Sequence, residues 1–136
     1  MRVTRFSALL AVLWLGAAAA GGRPVAAPAA IVTPLATHKL QEFPGKEVLV
    51  LTVEYPPGSV DPVHRHDAHA FVYVLEGSIV MGVAGATPVT LHAGQTFYEG
   101  PNDVHTIGRN ASKDKPARFI VFLLKDEGKP ALTPVN

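Results

Sequence analysis

Cysteine is absent from this chain of 136 residues. That excludes a disulfide framework, a thiolate nucleophile, a thiolate-based zinc site and lipid attachment through a cysteine. Charge is scarce: Asp, Glu, Lys and Arg make up 17% of the chain, 12 basic against 11 acidic residues. Removal of the leader described below takes away Arg2 and Arg5, leaving ten basic residues against eleven acidic ones, a net −1. That balance gives no electrostatic reason to bind nucleic acid. No amphipathic helix of useful length follows Ile31, and there is no internal repeat.

What is present is apolar and turn-rich. Hydrophobic residues make up 48%, with 12 Gly and 12 Pro, a globular composition long enough for one domain. The N-terminus reads as a secretory signal peptide over residues 1–20. Arg2 and Arg5 form a basic region, Phe6 to Gly16 an apolar one, and Ala18 to Ala20 a small-residue cleavage site. The apolar stretch is shorter than the roughly 20 residues a spanning helix needs. The expectation is therefore a secreted chain, periplasmic in a Gram-negative source, with no stable membrane insertion after cleavage. Residues 21–30 read as a flexible Gly/Pro/Ala linker, 31–128 as one β domain, and 129–136 as a loose C-terminal tail.

Within 31–128, short β-branched and aromatic runs alternate with Gly, Pro and Asn about every ten residues, as in a sandwich or barrel. The runs are Ile31–Thr33, Glu47–Tyr55, His69–Leu75, Ser78–Val83, Pro88–Leu91, Thr96–Glu99, His105–Ile107 and Arg118–Leu124. Glu76-Gly77, Gly85-Ala86 and Ala93-Gly94 read as hairpin turns. Glu47–Tyr55 and Arg118–Leu124 are apolar on both faces, so something should cover them outside as well as inside. A second subunit, making a homodimer, is one candidate; the N-terminal segment is the other.

The chemistry is concentrated in Gly58-Ser-Val-Asp-Pro-Val-His64-Arg-His66. Side chains two apart on a strand share a face, so His64 and His66 converge as two ligands of one ion must. His105 follows a second Gly-bounded segment and is the third candidate ligand.

This pattern resembles the cupins. Their first motif is Gly-x5-His-x-His-x3-Glu-x6-Gly; here Gly58, His64, His66 and Gly77 fall on it, with Ala70 in the glutamate slot. Their second is Gly-x5-Pro-x-Gly-x2-His-x3-Asn; here Gly94 and His105 match, while Gly100, Asn102 and Arg109 occupy the Pro, second Gly and Asn slots, with Pro101 and Asn110 one residue away. The resemblance covers about Glu47 to Leu124. It implies an all-β, single-domain double-stranded β-helix, a jelly-roll barrel, with His64, His66 and His105 holding one divalent transition metal: Fe, Mn, Ni, Cu or Zn.

The missing glutamate leaves three options. His69 faces away from position 70 unless the strand bulges. Glu99 is the only acidic residue in the strand leading to His105, and is either a fourth ligand, a base beside the ion, or a surface residue at a strand end. Otherwise solvent completes three histidines. On the barrel reading, Val72, Val74, Gly82 and Val83 line a small apolar cavity, Asp61 and Asp67 cap turns, and His92 is exposed. The implied activity is a dioxygenase acting on a small chelating substrate; the alternative is a non-catalytic binder of a metal or small ligand.

Overall fold

Alternation of apolar and polar residues sets ten strands in the computed structural model, which describes residues 25–135. They are β1 (Ile31–Lys39), β2 (Lys46–Tyr55), β3 (His64–Arg65), β4 (Ala68–Glu76), β5 (Ser78–Val83), β6 (Val89–His92), β7 (Thr96–Glu99), β8 (His105–Asn110), β9 (Ala117–Asp126) and β10 (Thr133–Pro134). The signal peptide expected over residues 1–20 and the start of the linker lie outside the described residues. Residues 25–30 have no regular structure. Among the described residues no helix is long and apolar enough to cross a membrane.

The strands pair antiparallel in two five-stranded sheets, ordered β1-β2-β9-β4-β7 and β10-β3-β8-β5-β6. This is the all-β double-stranded β-helix that the sequence led us to expect. In β2 the odd residues Leu51, Val53 and Tyr55 turn inward, and in β9 so do Phe119, Val121 and Leu123. The register sets Leu51 against Val121 and Val53 against Phe119, so the two strands interleave one continuous core face. Each fully buried Val, Leu or Phe of this kind contributes about 1.5–3 kcal/mol.

Of the three expected hairpin turns only Gly85-Ala86 joins paired strands, β5 and β6. Ala93-Gly94 and Glu76-Gly77 carry the chain between the sheets, the latter from β4 to β5, where its glycine is doubly required. Gly77 has φ +72°, and a Cβ there would sit 2.6 Å from the Pro116 carbonyl oxygen. Asp67 (φ +49°) makes the other sharp turn, passing the chain from β3 in one sheet to β4 in the other.

Three expectations change. The first strand runs past Thr33 to Lys39. Pro34 is accommodated because β1 is an edge strand with a bulge between Pro34 and Ala36. The segment after Gly128, expected to be loose, is docked: β10 pairs with β3, and Val135 donates its N–H to the Val63 carbonyl at 3.2 Å. Lastly, β1 extends its sheet edgewise along β2 and leaves the outer face of β9 uncovered. Phe122 is 42% exposed there, beside Phe71, Tyr73 and Tyr98 of β4 and β7.

Candidate metal centre

The site lies between the sheets, and both build it. In one, β3 pairs with β8 so that His64 stands directly across from His105. His66 follows His64 on the same side. In the other, β4 pairs with β7 so that Ala70 faces Glu99. Ala70 is 0% exposed, with no side chain beyond Cβ to fill the space in front of it, and Glu99, 2% exposed, stands across the ladder. A buried carboxylate therefore stands on the neighbouring strand, across the ladder from the slot that Ala70 occupies.

The geometry gathers all four predicted residues. Potential donor atoms of His64, His66 and His105 lie within 4.8 Å of one another. Their rings pack edge-on, with centroids 4.9 Å apart for His64–His66 and 4.8 Å for His64–His105. Glu99 reaches two of them: Oε2 is 3.7 Å from His66 Nε2, and Oε1 is 3.5 Å from His105 Nδ1. Donors at about 2.1 Å from a shared ion are about 3.0–3.4 Å apart in cis octahedral or tetrahedral positions, so the widest pair needs to close by about 1.4–1.8 Å.

Hydrogen bonds fix which nitrogens are free. His64 Nδ1 is 2.8 Å from the Pro62 carbonyl and His66 Nδ1 is 2.7 Å from the Ala131 carbonyl. A carbonyl only accepts, so in both rings Nδ1 carries the hydrogen and Nε2 keeps its lone pair. His105 Nδ1 and Nε2 and Glu99 Oε2 are buried without hydrogen-bond partners. Orphaned buried polar atoms are costly, at about 1–3 kcal/mol each. The two ring nitrogens of His105 point away from each other, so a divalent ion beside Glu99 would satisfy Oε2 and one of them. The donor set, neutral imidazoles plus one carboxylate, suits a borderline transition metal.

Burial sets the protonation. It pushes Glu99 up to about 7, with Asp103 and Asp61 adding to the rise. It holds His105 down to about 4, with His64 assisting, and also lowers His66. These two imidazoles are therefore neutral and ready to ligate across the neutral range.

Outside the cluster the sequence reading is partly revised. His69 is exposed on the opposite face, as alternation requires, and its Nδ1 shares a 2.8 Å hydrogen bond with the Tyr98 hydroxyl. Asp67 does occupy a turn and His92 is exposed. Asp61 does not serve as a simple turn cap. Its carboxyl lines the cavity and accepts a hydrogen bond from the buried Tyr55 hydroxyl. Burial raises Asp61, although the Tyr55 bond opposes the rise. Burial, followed by the Asp61 charge, raises Tyr55. Nothing local in the sequence marks this pair, because it forms between the end of β2 and a loop six residues on. Gly108 leaves room for it: a Cβ there would lie 2.9 Å from the Tyr55 hydroxyl and 3.1 Å from both Asp61 Oδ2 and His105 Cε1.

A cavity of about 270 Å³ opens onto the cluster, its remaining wall apolar except for Tyr55 and Asp61. Of the four residues expected to line it, only Val72 does. Val74, Gly82 and Val83 are not on its wall, and Met81 is. Ala29 and Ala30 from the N-terminal side and Ala131 and Leu132 from the C-terminal side complete its lining. Asn110, one residue beyond the expected position, is buried as a structural hub. Its amide nitrogen donates to the carbonyls of Tyr55, Pro56 and Lys115, and its oxygen accepts from the Ser112 N–H.

No curated protein matches the chain. Solved structures do. A conserved protein with a double-stranded β-helix domain from Klebsiella pneumoniae is 18% identical, with a TM-score of 0.62 over 83% of this chain and 90% of that one. The DMSP lyase DddQ of Ruegeria pomeroyi is 22% identical, with a TM-score of 0.57 over 65% of this chain. An oxalate oxidase in complex with the substrate analogue glycolate is 24% identical, with a TM-score of 0.60 over 78% of this chain. The chain spans 43% of the lyase's length and 55% of the oxidase's, so these likenesses speak to the fold alone. The cupin domain model matches residues 51–123, more than half of the chain and the whole stretch that carries the three histidines and Glu99. The chain belongs to the cupin domain family.

Proposed function

We propose that this chain is an exported cupin that holds one transition ion on His64, His66, His105 and Glu99, with open positions for a small chelating ligand. The observation that carries the reading is the gathering of buried, partnerless Glu99 Oε2 and one nitrogen of His105 with the free Nε2 atoms of His64 and His66. A cavity of about 270 Å³ lies at the small end of ligand sites, which limits the occupant to a compact molecule with a polar donor end and an apolar body. The glycolate bound by the oxalate oxidase is a ligand of that scale.

The activity we propose is dioxygenation of such a substrate. The ion, when bound, supplies Lewis-acid and redox chemistry at its open positions. The chain's own residues divide the rest of the task. The imidazoles fix the donor geometry, and Glu99, protonated near neutral pH before the ion binds, gives up that proton to ligate it. The Tyr55–Asp61 pair presents a further acidic group to the cavity, and the apolar wall excludes water.

Metal analysis of protein purified without chelator should find about one equivalent of a transition metal, lost in a His64→Ala/His105→Ala variant. Oxygen consumption by the Fe(II)-loaded protein against diketones and dihydroxyaromatics tests the reaction. A flat response in a protein that still binds metal and ligand would assign it to non-catalytic binding. Absence of metal from correctly folded protein would sink both readings.

The leader pattern over residues 1–20 supports export. The exposed row of Phe71, Tyr73, Tyr98 and Phe122 supports a homodimer closed across that sheet face. In sedimentation velocity, Phe122→Asp should shift such a dimer toward monomer.

A further inference from the structure

We infer that the C-terminal segment, residues 129–135, is a working part of the metal site, positioning His66 and forming part of the cavity wall. The inference deepens the metal-site reading and rests on it for its effect on affinity, but its structural core can be measured without metal.

The contact that matters is the one from the Ala131 carbonyl to His66 Nδ1, at 2.7 Å. His66 lies beyond the end of β3, next to the Asp67 turn, so no ladder bond from its own sheet orients the ring. A carbonyl acceptor at Nδ1 selects the tautomer that leaves Nε2 as the donor, and the same bond sets the ring plane. The neighbouring Ala131 and Leu132 side chains meanwhile line the cavity. One short segment therefore fixes both a ligand's donor atom and part of the wall that a ligand must pass.

The rest of the segment is fastened on both sides of Ala131. Downstream, Thr133 and Pro134 pair with Arg65 and His64, and the Val135 N–H donates to the Val63 carbonyl at 3.2 Å. Thr133 Oγ1 also donates to Asp67 Oδ2 at 3.3 Å. Upstream, the ammonium of Lys125 is buried against the Glu47 carboxylate and donates to the Lys129 carbonyl at 2.6 Å. The Gly128 N–H reaches the same Glu47 oxygen at 3.2 Å. A buried ion pair seldom adds much stability, but it does fix geometry. Here it fixes where the segment leaves β9.

The test uses the full chain and a double variant, Thr133→Gly/Val135→Pro, which removes the Asp67 bond and the Val135 donor. Long-range ¹H–¹⁵N correlation spectra of the metal-free proteins report the His66 tautomer, and Zn²⁺ titration against a competing chelator reports affinity. We expect wild-type His66 to carry its hydrogen on Nδ1, and the double variant to show mixed tautomers with affinity weakened about 10–100-fold. A wild-type His66 protonated on Nε2 overturns the inference. So does a folded double variant that retains both the Nδ1–H tautomer and wild-type affinity. If the double variant unfolds, the wild-type tautomer alone decides. If wild type shows the expected tautomer but takes up no Zn²⁺, the metal-site reading fails while the positioning of His66 by Ala131 stands.

Discussion

The pH dependence of metal binding offers the sharpest test of the site. Burial places the Glu99 carboxyl near pH 7, so below that value an ion must displace a proton before this oxygen can ligate. Taking a pKa of about 7, the ionised fraction falls from about three quarters at about pH 7.5 to about 3% at about pH 5.5. Affinity should therefore drop about 25-fold over that interval, close to 1.9 kcal/mol. His105, held down to about 4, adds little proton competition there. Glu99→Gln preserves shape but has no proton to lose. Its affinity should be weaker at about pH 7.5 by about tenfold or more. The measurement is competitive titration with a chromogenic chelator at closely spaced pH values on both proteins. The difference between the two log K curves should rise with a slope approaching one below pH 7 and flatten above it. Parallel curves would refute the placement of Glu99 on the ion.

Three further outcomes follow from the packing. In metal-free protein, the raised Glu99 stabilises the fold below its unfolded value and loses that contribution as pH rises through about 7. The depressed His105 does the reverse, losing its contribution as pH falls from about 6.5 to about 4. Each is worth up to about 3 kcal/mol, so the two offset one another between about pH 4.5 and pH 6.5, and in urea melts Glu99→Gln should lose about 1.4 kcal/mol more per unit of acidification than wild type. Tyr55→Phe leaves the Asp61 carboxyl without its donor and should cost about 1–3 kcal/mol by the same melts; no loss would mean the carboxyl finds water instead. Gly77→Ala forces a Cβ against the Pro116 carbonyl at φ +72° and should cost at least about 2 kcal/mol, lowering the thermal midpoint by several degrees.

Much of this site can be read along the chain because its logic is local. His64 and His66 share a face by spacing, and the same alternation turns His69 out and Ala70 in, even though the chain changes sheets at Asp67. What could not be read is what crosses strands. Whether Glu99 was a surface residue or faced the ion depended on the Ala70–Glu99 register, which is set by β4 pairing with β7. The Tyr55–Asp61 pair likewise depends on the space left by Gly108 on a third segment. The C-terminal segment escaped for another reason. Pro130 and Pro134 break any alternation, and its order comes from Lys125, Glu47 and β3 rather than from its own residues. Coverage of both faces of β9 was expected, yet only the inner one is covered within the described chain, because β1 joins the sheet at its edge.

The four candidate donors are divided between the two halves of the sandwich: His64 and His105 on one sheet, with His66 just beyond its β3 strand, and Glu99 on the other. In a protein without a single sulfur bridge, an ion there would act as its only crosslink, riveting β8 to β7 across the hydrophobic interior. Loading at a hundredfold excess over the dissociation constant would add about 2.7 kcal/mol to unfolding. Sequestration of metal would then loosen the sandwich as a whole as well as emptying a pocket, so that the durability of this protein would track the supply of its ion.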